Sequence, residues 1–126
     1  MSKIFQGIGF IKPDRKINKQ FVYSNFAPMF RKKINIEKLC NAKLYVCGLG
    51  YGYYYINGKE VTEDKFTAPV SEYTKALWYN VYDVTELLSQ GENTFAVWCG
   101  NGWYNEEMKT GWNYDEAKWR DVPKII

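Results

Sequence analysis

The sequence predicts an all-β protein, an antiparallel β-sandwich with one short helical turn near residues 83–89. Two observations carry this prediction. Aromatic residues make up 18% of the 126 residues, and such a content is typical of strands and sandwich cores. Short apolar stretches also alternate with Gly, Pro and Asn turn signals along most of the chain. A chain of this length is expected to form a single domain, residues 1–126.

Residues 1–19 form a weakly patterned lead-in, with a polar, turn-like stretch at 12–16. The pattern then predicts strands over 29–36, 42–49, 53–56, 59–61, 76–82 and 93–99. The first of these contains Arg31, Lys32 and Lys33. Since neighbours in a strand point to opposite faces, this basic run indicates a solvated or edge strand rather than a phosphate-binding track. Alternation in the second strand places Leu44, Val46 and Gly48 on one face and Tyr45, Cys47 and Leu49 on the other.

Two glycine-containing motifs mark the middle of the chain. Asn57-Gly58 between apolar stretches predicts a type I′ hairpin, because both residues tolerate positive φ. Glycines also occupy the alternate positions Gly48, Gly50 and Gly52. A phosphate-binding glycine loop would need a helix to follow, and strand follows here, so the glycines indicate a bulge or close packing. Residues 62–75 are expected to be a long loop.

The helical turn is predicted from the spacing of Asp83 and Glu86, which matches a capping box with Asp83 as the N-cap and Glu86 at the third helical position. Leu87 and Leu88 are then expected to pack inward. Gly91 is expected to end the turn in a left-handed conformation.

The C-terminal part is rich in aromatic residues and ends in an apolar stretch. Gly100-Asn101-Gly102 is expected to break the long strand before it, and residues 103–119 to form a loop. Residues 123–126 resemble a strand that has only begun, so we expect the final strands of the sandwich to be truncated after residue 126. The exposed edge that this predicts would be covered by a second copy of the chain or by a swapped segment.

Composition excludes several classes of function. The net charge of +3, from 17 basic and 14 acidic side chains, is too small to indicate nucleic-acid binding. No apolar run approaches the length of a membrane span or a signal peptide. The three cysteines, Cys40, Cys47 and Cys99, form no Cys-x-x-Cys motif. They favour a reducing compartment, so a cytoplasmic location is expected.

The residues needed for independent catalysis are missing or poorly placed. The chain contains no His, which removes the common nucleophile–base pairs and the commonest metal ligand. No calcium-loop motif occurs either, and no metal or other cofactor is expected. The acidic residues available for glycoside hydrolysis are Glu106, Glu107, Asp115, Glu116 and Asp121. Adjacent Glu106 and Glu107 would point to opposite faces of a strand, and solvated loop residues are the simpler interpretation.

A series of motifs from residue 27 to the C-terminus resembles the N-terminal β-sandwich domain of bacterial α-L-rhamnosidases. Each motif alone is weak, but together their order and spacing are specific, and they cover about four-fifths of the chain by residue count. The segment 69–73 departs from the family's Pro-x-x-Thr-x-Tyr pattern, because Ser71 stands in the position of the Thr. The matching segments are 27–32 (Ala-Pro-Met-Phe-Arg-Lys), 42–46, 48–51, 55–61, 69–73, 82–85, 91–93, 100–104 (Gly-Asn-Gly-Trp-Tyr) and 119–124.

The resemblance implies a jelly-roll or galactose-binding-domain-like sandwich. In that family the domain lies beside a catalytic (α/α)₆ barrel, and the barrel, absent from these residues, carries the acid and the base of the hydrolysis. The chain is then a non-catalytic accessory domain that contacts the rhamnosyl substrate or supports the barrel. The carbohydrate-contact residues expected from the aromatic loops are Asn101, Trp103, Tyr104, Trp112 and Tyr114, with a hydrophobic plug against the barrel as the alternative for Trp103. A stand-alone carbohydrate-binding module and a ligand-free structural spacer also fit the sequence.

Overall fold

A computed structural model describes residues 3–14, 27–67 and 69–126. Its strands are β1 (Met29–Ile36), β2 (Lys43–Val46), β3 (Gly48–Leu49), β4 (Tyr51–Ile56), β5 (Lys59–Glu60), β6 (Asn80–Asp83), β7 (Gly91–Gly100) and β8 (Lys124–Ile125). Short 3₁₀ helices occupy Lys3–Phe5, Thr85–Leu87, Gly102–Asn105 and Tyr114–Glu116. The predicted all-β fold and the short helical turn near 83–89 are confirmed. None of the helices in the described segments has the length and apolar character needed to cross a membrane.

The strands form two layers with antiparallel pairing. One layer is a four-stranded sheet in the order β1-β7-β4-β5, and the other contains the pairs β2-β6 and β3-β8. Side chains from both layers meet in a buried apolar cluster. This first cluster consists of Val46, Tyr54, Val97, Cys99 and Ile125. Burial of apolar surface between two facing sheets is the main stabilising contribution in such a sandwich.

The second layer is apolar on both faces, as the alternation of residues 44–49 predicted. Val46 contributes to the first cluster. Cys47 and Leu49 lie in a second buried cluster on the opposite face, together with Phe5 and Tyr104. The predicted strand over 42–49 is nevertheless two strands, because the chain changes partner at Cys47, from β6 to β8.

Strand β1 lies at the edge of the four-stranded sheet and pairs only with β7 among the described strands. Arg31, Lys32 and Lys33 are all exposed there. The Lys33 Nζ lies 2.8 Å from the Glu92 Oε1 across the strand pair. The prediction of a solvated edge strand is therefore confirmed.

The predicted hairpin at Asn57-Gly58 is also confirmed. These residues have φ values of 52° and 80°, as a type I′ turn requires. The Asn57 side chain donates to the Leu87 carbonyl at 3.0 Å and to the Asn93 Oδ1 at 2.8 Å. The hairpin is thereby tied to the turn before β7.

Two of the alternate glycines allow close packing. Gly50 has a φ of 101°, and a Cβ atom there would lie 2.2 Å from the Gly100 carbonyl oxygen. At Gly52, a Cβ atom would lie within 2.6 Å of the Tyr54 ring carbon that carries the hydroxyl. Any side chain at these positions would displace the backbone of β7 or a core ring.

Two local predictions were wrong. Only residues 80–82 of the predicted strand 76–82 pair with β2, together with Asp83, because β2 itself offers four residues before the chain changes partner. The capping box does not form either. The Asp83 carboxylate accepts a hydrogen bond from the Thr85 N–H at 3.0 Å, but the N-cap position is Val84 and no side chain caps the turn. Leu87 and Leu88 are half-buried, and Gly91 has the expected positive φ, 95°.

The expectation of an exposed C-terminal edge was wrong within the described chain. Strand β8 pairs with β3 on one side. On its other side, the Ile125 N–H and carbonyl both bond to Ile11, at 3.0 and 2.8 Å. Ile11 of the lead-in thus covers this strand at Ile125, and Phe5 is buried, while residues 15–19 of the predicted lead-in lie outside the described residues. The edge that suggested a homo-oligomer is therefore covered by the chain itself.

Candidate functional site: an aromatic surface after strand β7

The candidate site begins where β7 ends at Gly100. Asn101 is right-handed helical, and Gly102 has a φ of 50° before the 3₁₀ helix Gly102–Asn105. A Cβ atom at Gly102 would lie 3.3 Å from the ring of Tyr51 on strand β4. The glycine therefore allows the chain to turn closely over the end of the four-stranded sheet.

A network of side-chain hydrogen bonds holds this loop. Asn105 is fully buried, and its amide nitrogen donates to the Asn101 Oδ1 at 2.9 Å. The Arg120 Nε donates to the Asn105 Oδ1 at 3.0 Å, and the Arg120 Nη1 donates to the Asp115 carbonyl at 3.1 Å. The Asn101 amide nitrogen donates to the Glu107 Oε1 at 2.9 Å. Asn101 is thus part of the frame that joins residues 101–107 to 115–120.

Tyr104 lies in the core rather than on the surface. It is 3% exposed and stacks on Trp119, with ring centroids 5.9 Å apart and planes at 19°. The Tyr73 ring packs edge-on at 5.1 Å, and the Lys124 Nζ lies 5.5 Å from the ring centroid. Burial raises the pKa of Tyr73 to about 12. Of the five residues expected to contact carbohydrate, Tyr104 is the one that is buried.

Three of the expected residues do expose aromatic surface, and we call Trp103, Trp112 and Tyr114 the aromatic surface. Trp103 is 38% exposed and Trp112 is 72% exposed. Trp103 packs edge-to-face against Tyr114 at 6.3 Å and 87°. Tyr114 in turn packs on Trp119 at 5.6 Å. The structure therefore brings Trp103 and Tyr114 together on the core, whereas the ring contacts among the described residues leave Trp112 outside this pair.

Two acidic residues near the aromatic surface, Asp121 and Glu116, lie beside lysines. Asp121 accepts hydrogen bonds from Lys124 at 2.8 Å, from Lys12 at 3.0 Å and from the Val122 N–H at 2.9 Å. Burial alone would raise the pKa of Asp121, but these hydrogen bonds outweigh it and lower the pKa to about 2. A carboxyl group held ionised in this way is unsuited to act as a general acid. Glu116 lies 3.9 Å from the Lys109 Nζ.

Asp115 is half-buried, and two of the three cysteines are buried. The Asp115 Oδ1 is buried without a hydrogen-bond partner in the described structure. Burial raises the pKa of the Cys47 thiol to about 11 and that of Cys99 to about 12, so neither is a ready nucleophile at neutral pH. Within residues 3–14, 27–67 and 69–126, no group of three or more potential metal ligands comes together.

A second exposed apolar surface is not evident from the sequence. Met29, Trp98 and Tyr53 lie directly opposite one another on β1, β7 and β4, and they are 73%, 49% and 36% exposed. The Lys65 Nζ lies 5.4 Å from the Tyr53 ring centroid. We call these three residues the outer row. Only the register between the strands could have revealed it, because the three residues are far apart in the sequence.

Comparison with known proteins gives a consistent family. The sequence profile described as the alpha-L-rhamnosidase N-terminal domain matches residues 37–126. An alpha-L-rhamnosidase of Formosa agariphila is 39% identical over 97 residues, which cover 76% of this chain and 10% of that protein. This chain therefore spans about a tenth of the length of that relative.

Solved structures of rhamnosidases share the fold. The alpha-L-rhamnosidase from Dictyoglomus thermophilum matches with a TM-score of 0.67 and 36% sequence identity, over 80% of this chain and 10% of that one. The Streptomyces avermitilis alpha-L-rhamnosidase, solved in complex with L-rhamnose, matches with a TM-score of 0.69 and 27% identity, over 79% of this chain and 10% of that one.

Proposed function

The chain belongs to the family of α-L-rhamnosidase N-terminal domains, and on that basis we propose that it is a non-catalytic accessory β-sandwich that contacts rhamnosyl groups. Hydrolysis of terminal α-L-rhamnosyl residues would be carried out by a separate catalytic domain of a longer protein. The proposal is consistent with a chain that spans about a tenth of the length of its relatives. It is also consistent with the hydrogen bonds that Glu107 accepts from Asn101 and Asp121 accepts from Lys124.

The observation that carries the proposal is the packing of Trp103. Its ring is 38% exposed yet held edge-to-face against Tyr114. The loop that presents it is fixed by the bonds among Asn101, Asn105 and Arg120. A partly buried indole loses little conformational entropy on binding, and its face offers apolar surface to the C–H groups of a sugar.

A titration with L-rhamnose tests the proposal. The chain contains five Trp residues, and their indole N–H signals in NMR spectra report on each ring separately. We expect saturable shifts of the Trp103 signal with a dissociation constant on the order of 1 mM, about −4 kcal/mol. Trp103→Ala is expected to weaken binding about tenfold or more. Trp78→Ala is the matched control, because Trp78 is 68% exposed and is outside the aromatic surface.

The absence of a saturable shift would refute the sugar contact, and so would equal affinity of Trp103→Ala and the unsubstituted chain. D-glucose in the same titration distinguishes recognition of rhamnose from general affinity of an indole ring for sugars. Binding that survives Trp103→Ala but not Trp112→Ala would move the contact to the more exposed ring.

Support of the catalytic domain is a second candidate function, and the outer row favours it. Met29, Trp98 and Tyr53 form a continuous exposed apolar strip across three strands. Aromatic and Met side chains are enriched at the centres of protein interfaces. If the rhamnose titration fails, this role within a rhamnosidase is the one that the observations favour, ahead of a stand-alone binding module or a ligand-free spacer.

We further propose that the chain works in a reducing compartment such as the cytoplasm. Cys40, Cys47 and Cys99 are all free thiols, and disulfides are the usual pairing of cysteines in oxidising compartments. Alkylation of thiols in freshly lysed cells, followed by mass spectrometry, tests this at exposed Cys40: rapid labelling supports the proposal, and a blocked thiol contradicts it.

A further inference from the structure

An apolar groove of about 610 Å³ lies between the two layers of the sandwich. The four-stranded sheet contributes Phe30, Tyr54 and Val97 to its walls, and the second layer contributes Leu44, Val46 and Ile125. Tyr54, Val97, Val46 and Ile125 belong to the first buried cluster. The groove is therefore an open end of the main core rather than a separate surface pocket.

The groove lies beside the edge of β2 that faces away from β6. The Val84 N–H donates to the Ala42 carbonyl at 3.0 Å, which makes residues 42 and 84 a hydrogen-bonded pair. In an antiparallel ladder every second residue of a strand bonds to the same neighbour. Leu44 and Val46, two and four residues after Ala42, therefore direct their backbone N–H and carbonyl groups toward β6. Lys43 and Tyr45 must then direct theirs toward the opposite edge. No other described strand pairs with them there.

Strand β8 is aligned with that edge. Cys47 and Ile126 exchange two backbone hydrogen bonds, both 3.0 Å long, on the side of the chain where Lys43 and Tyr45 are unpaired. Gly48 lies opposite Ile125 in the same antiparallel register. A strand that ran on from Ile126 in this register would therefore meet Val46, Tyr45, Leu44 and Lys43 in turn.

We propose that the groove is the seat of a β-strand that continues β8 along the open edge of β2, in the register set by Gly48 and Ile125. Ile125 faces the first cluster, and Ile126 packs against the second. By alternation, the first and third residues of the continuing strand face the groove, and the second and fourth face away from it. The first and third positions must therefore be apolar.

This occupant is favoured over a second copy of the chain by continuity and by the available length. Ile126 already begins the required pairing with Cys47, whereas a second copy would have to bring a free strand of its own. The relatives are about ten times longer than this chain, so such proteins contain additional polypeptide. Ile11 pairs with Ile125 on the far side of β8, so the continuing strand would run between β2 and residues 8–11.

The test appends five residues to the full chain in two matched versions. The in-phase extension, Val-Thr-Val-Thr-Lys, places its two valines toward the groove. The out-of-phase extension, Thr-Val-Thr-Val-Lys, has the same composition but places its valines on the face away from the groove. Hydrogen exchange of the Lys43 and Tyr45 amides is measured by NMR in both and in the unextended chain. The in-phase extension is expected to slow exchange of both amides about tenfold or more, because the new strand bonds to them.

Three outcomes would overturn the proposal. Equal protection by both extensions would show that the register is not the one inferred. No protection by the in-phase extension would show that the groove does not accept this strand. Protection of both amides in the unextended chain, together with a dimer in sedimentation, would assign the groove to a second copy. The thermal midpoint is a second readout, and we expect it to rise for the in-phase version only.

Discussion

The fully buried Asn93 is the side chain whose loss should most disturb the turn before β7. Its amide nitrogen donates to the Ser89 carbonyl at 2.6 Å and to the Gly91 carbonyl at 3.0 Å. Its Oδ1 accepts from the Ser89 N–H at 2.9 Å and from Asn57 at 2.8 Å. Asn93→Ala removes these four bonds and a longer fifth bond, from the Ser89 hydroxyl to the Asn93 Oδ1 at 3.5 Å, and leaves their partners beside an apolar methyl group.

The expected loss of stability follows from these four bonds. A typical hydrogen bond contributes about 1 kcal/mol net, so the sum is about 4 kcal/mol. Ser89 is exposed, and its backbone groups can bond to water once Asn93 is lost. We therefore expect Asn93→Ala to lower the free energy of unfolding by about 2–3 kcal/mol, a large part of the roughly 5–15 kcal/mol of a typical domain.

Urea unfolding followed by Trp fluorescence measures this loss. With a slope of about 1–3 kcal/mol per M, the midpoint should fall by roughly 0.7–3 M while the slope stays unchanged. Asn35→Ala is the matched control, since Asn35 is an exposed strand residue, and its substitution should change stability by less than about 0.5 kcal/mol. A loss of less than about 1 kcal/mol for Asn93→Ala would refute the reasoning, because the network would then contribute little.

Three further substitutions separate the structural from the exposed side chains around the aromatic surface. The folded-state pKa of Asp121, about 2, lies below the unfolded value of about 3.9. The ionised Asp121 therefore contributes on the order of 1–2 kcal/mol to the free energy of unfolding above about pH 4, and this contribution is lost as the pH falls toward 2. Asp121→Asn should flatten the decline in stability between about pH 4 and 2, measured by urea unfolding at several pH values, and an unchanged decline would contradict the assignment. Tyr104→Ala should lower the free energy of unfolding by about 3–5 kcal/mol because its ring lies in the core. Trp112→Ala should change the free energy of unfolding by less than about 0.5 kcal/mol. Thermal unfolding measures both, and similar losses for the two variants would contradict the difference in burial between Tyr104 and Trp112.

The frame of the candidate site was harder to predict than its aromatic residues. The density of Trp and Tyr after Gly100 identified the segment, and Trp103, Trp112 and Tyr114 do expose surface. Tyr104 has the same composition signal yet is core, because it follows Trp103 in a 3₁₀ helix that turns the two rings in different directions. The roles of Asn105 and Arg120 depend on contacts across 15 residues, which local patterns do not reveal.

The local sequence by itself determined the all-β class, the Asn57-Gly58 hairpin, the solvated edge strand and the two faces of residues 44–49. Each of these depends on backbone preferences or on strict alternation along one strand, which act over a few residues. The tertiary structure alone decided that the chain changes partner at Cys47, that Ile11 covers β8, and that the outer row and the groove exist. Those features depend on which strands meet and in which register, and pairing between distant segments is set by the burial of the whole core rather than by any one segment.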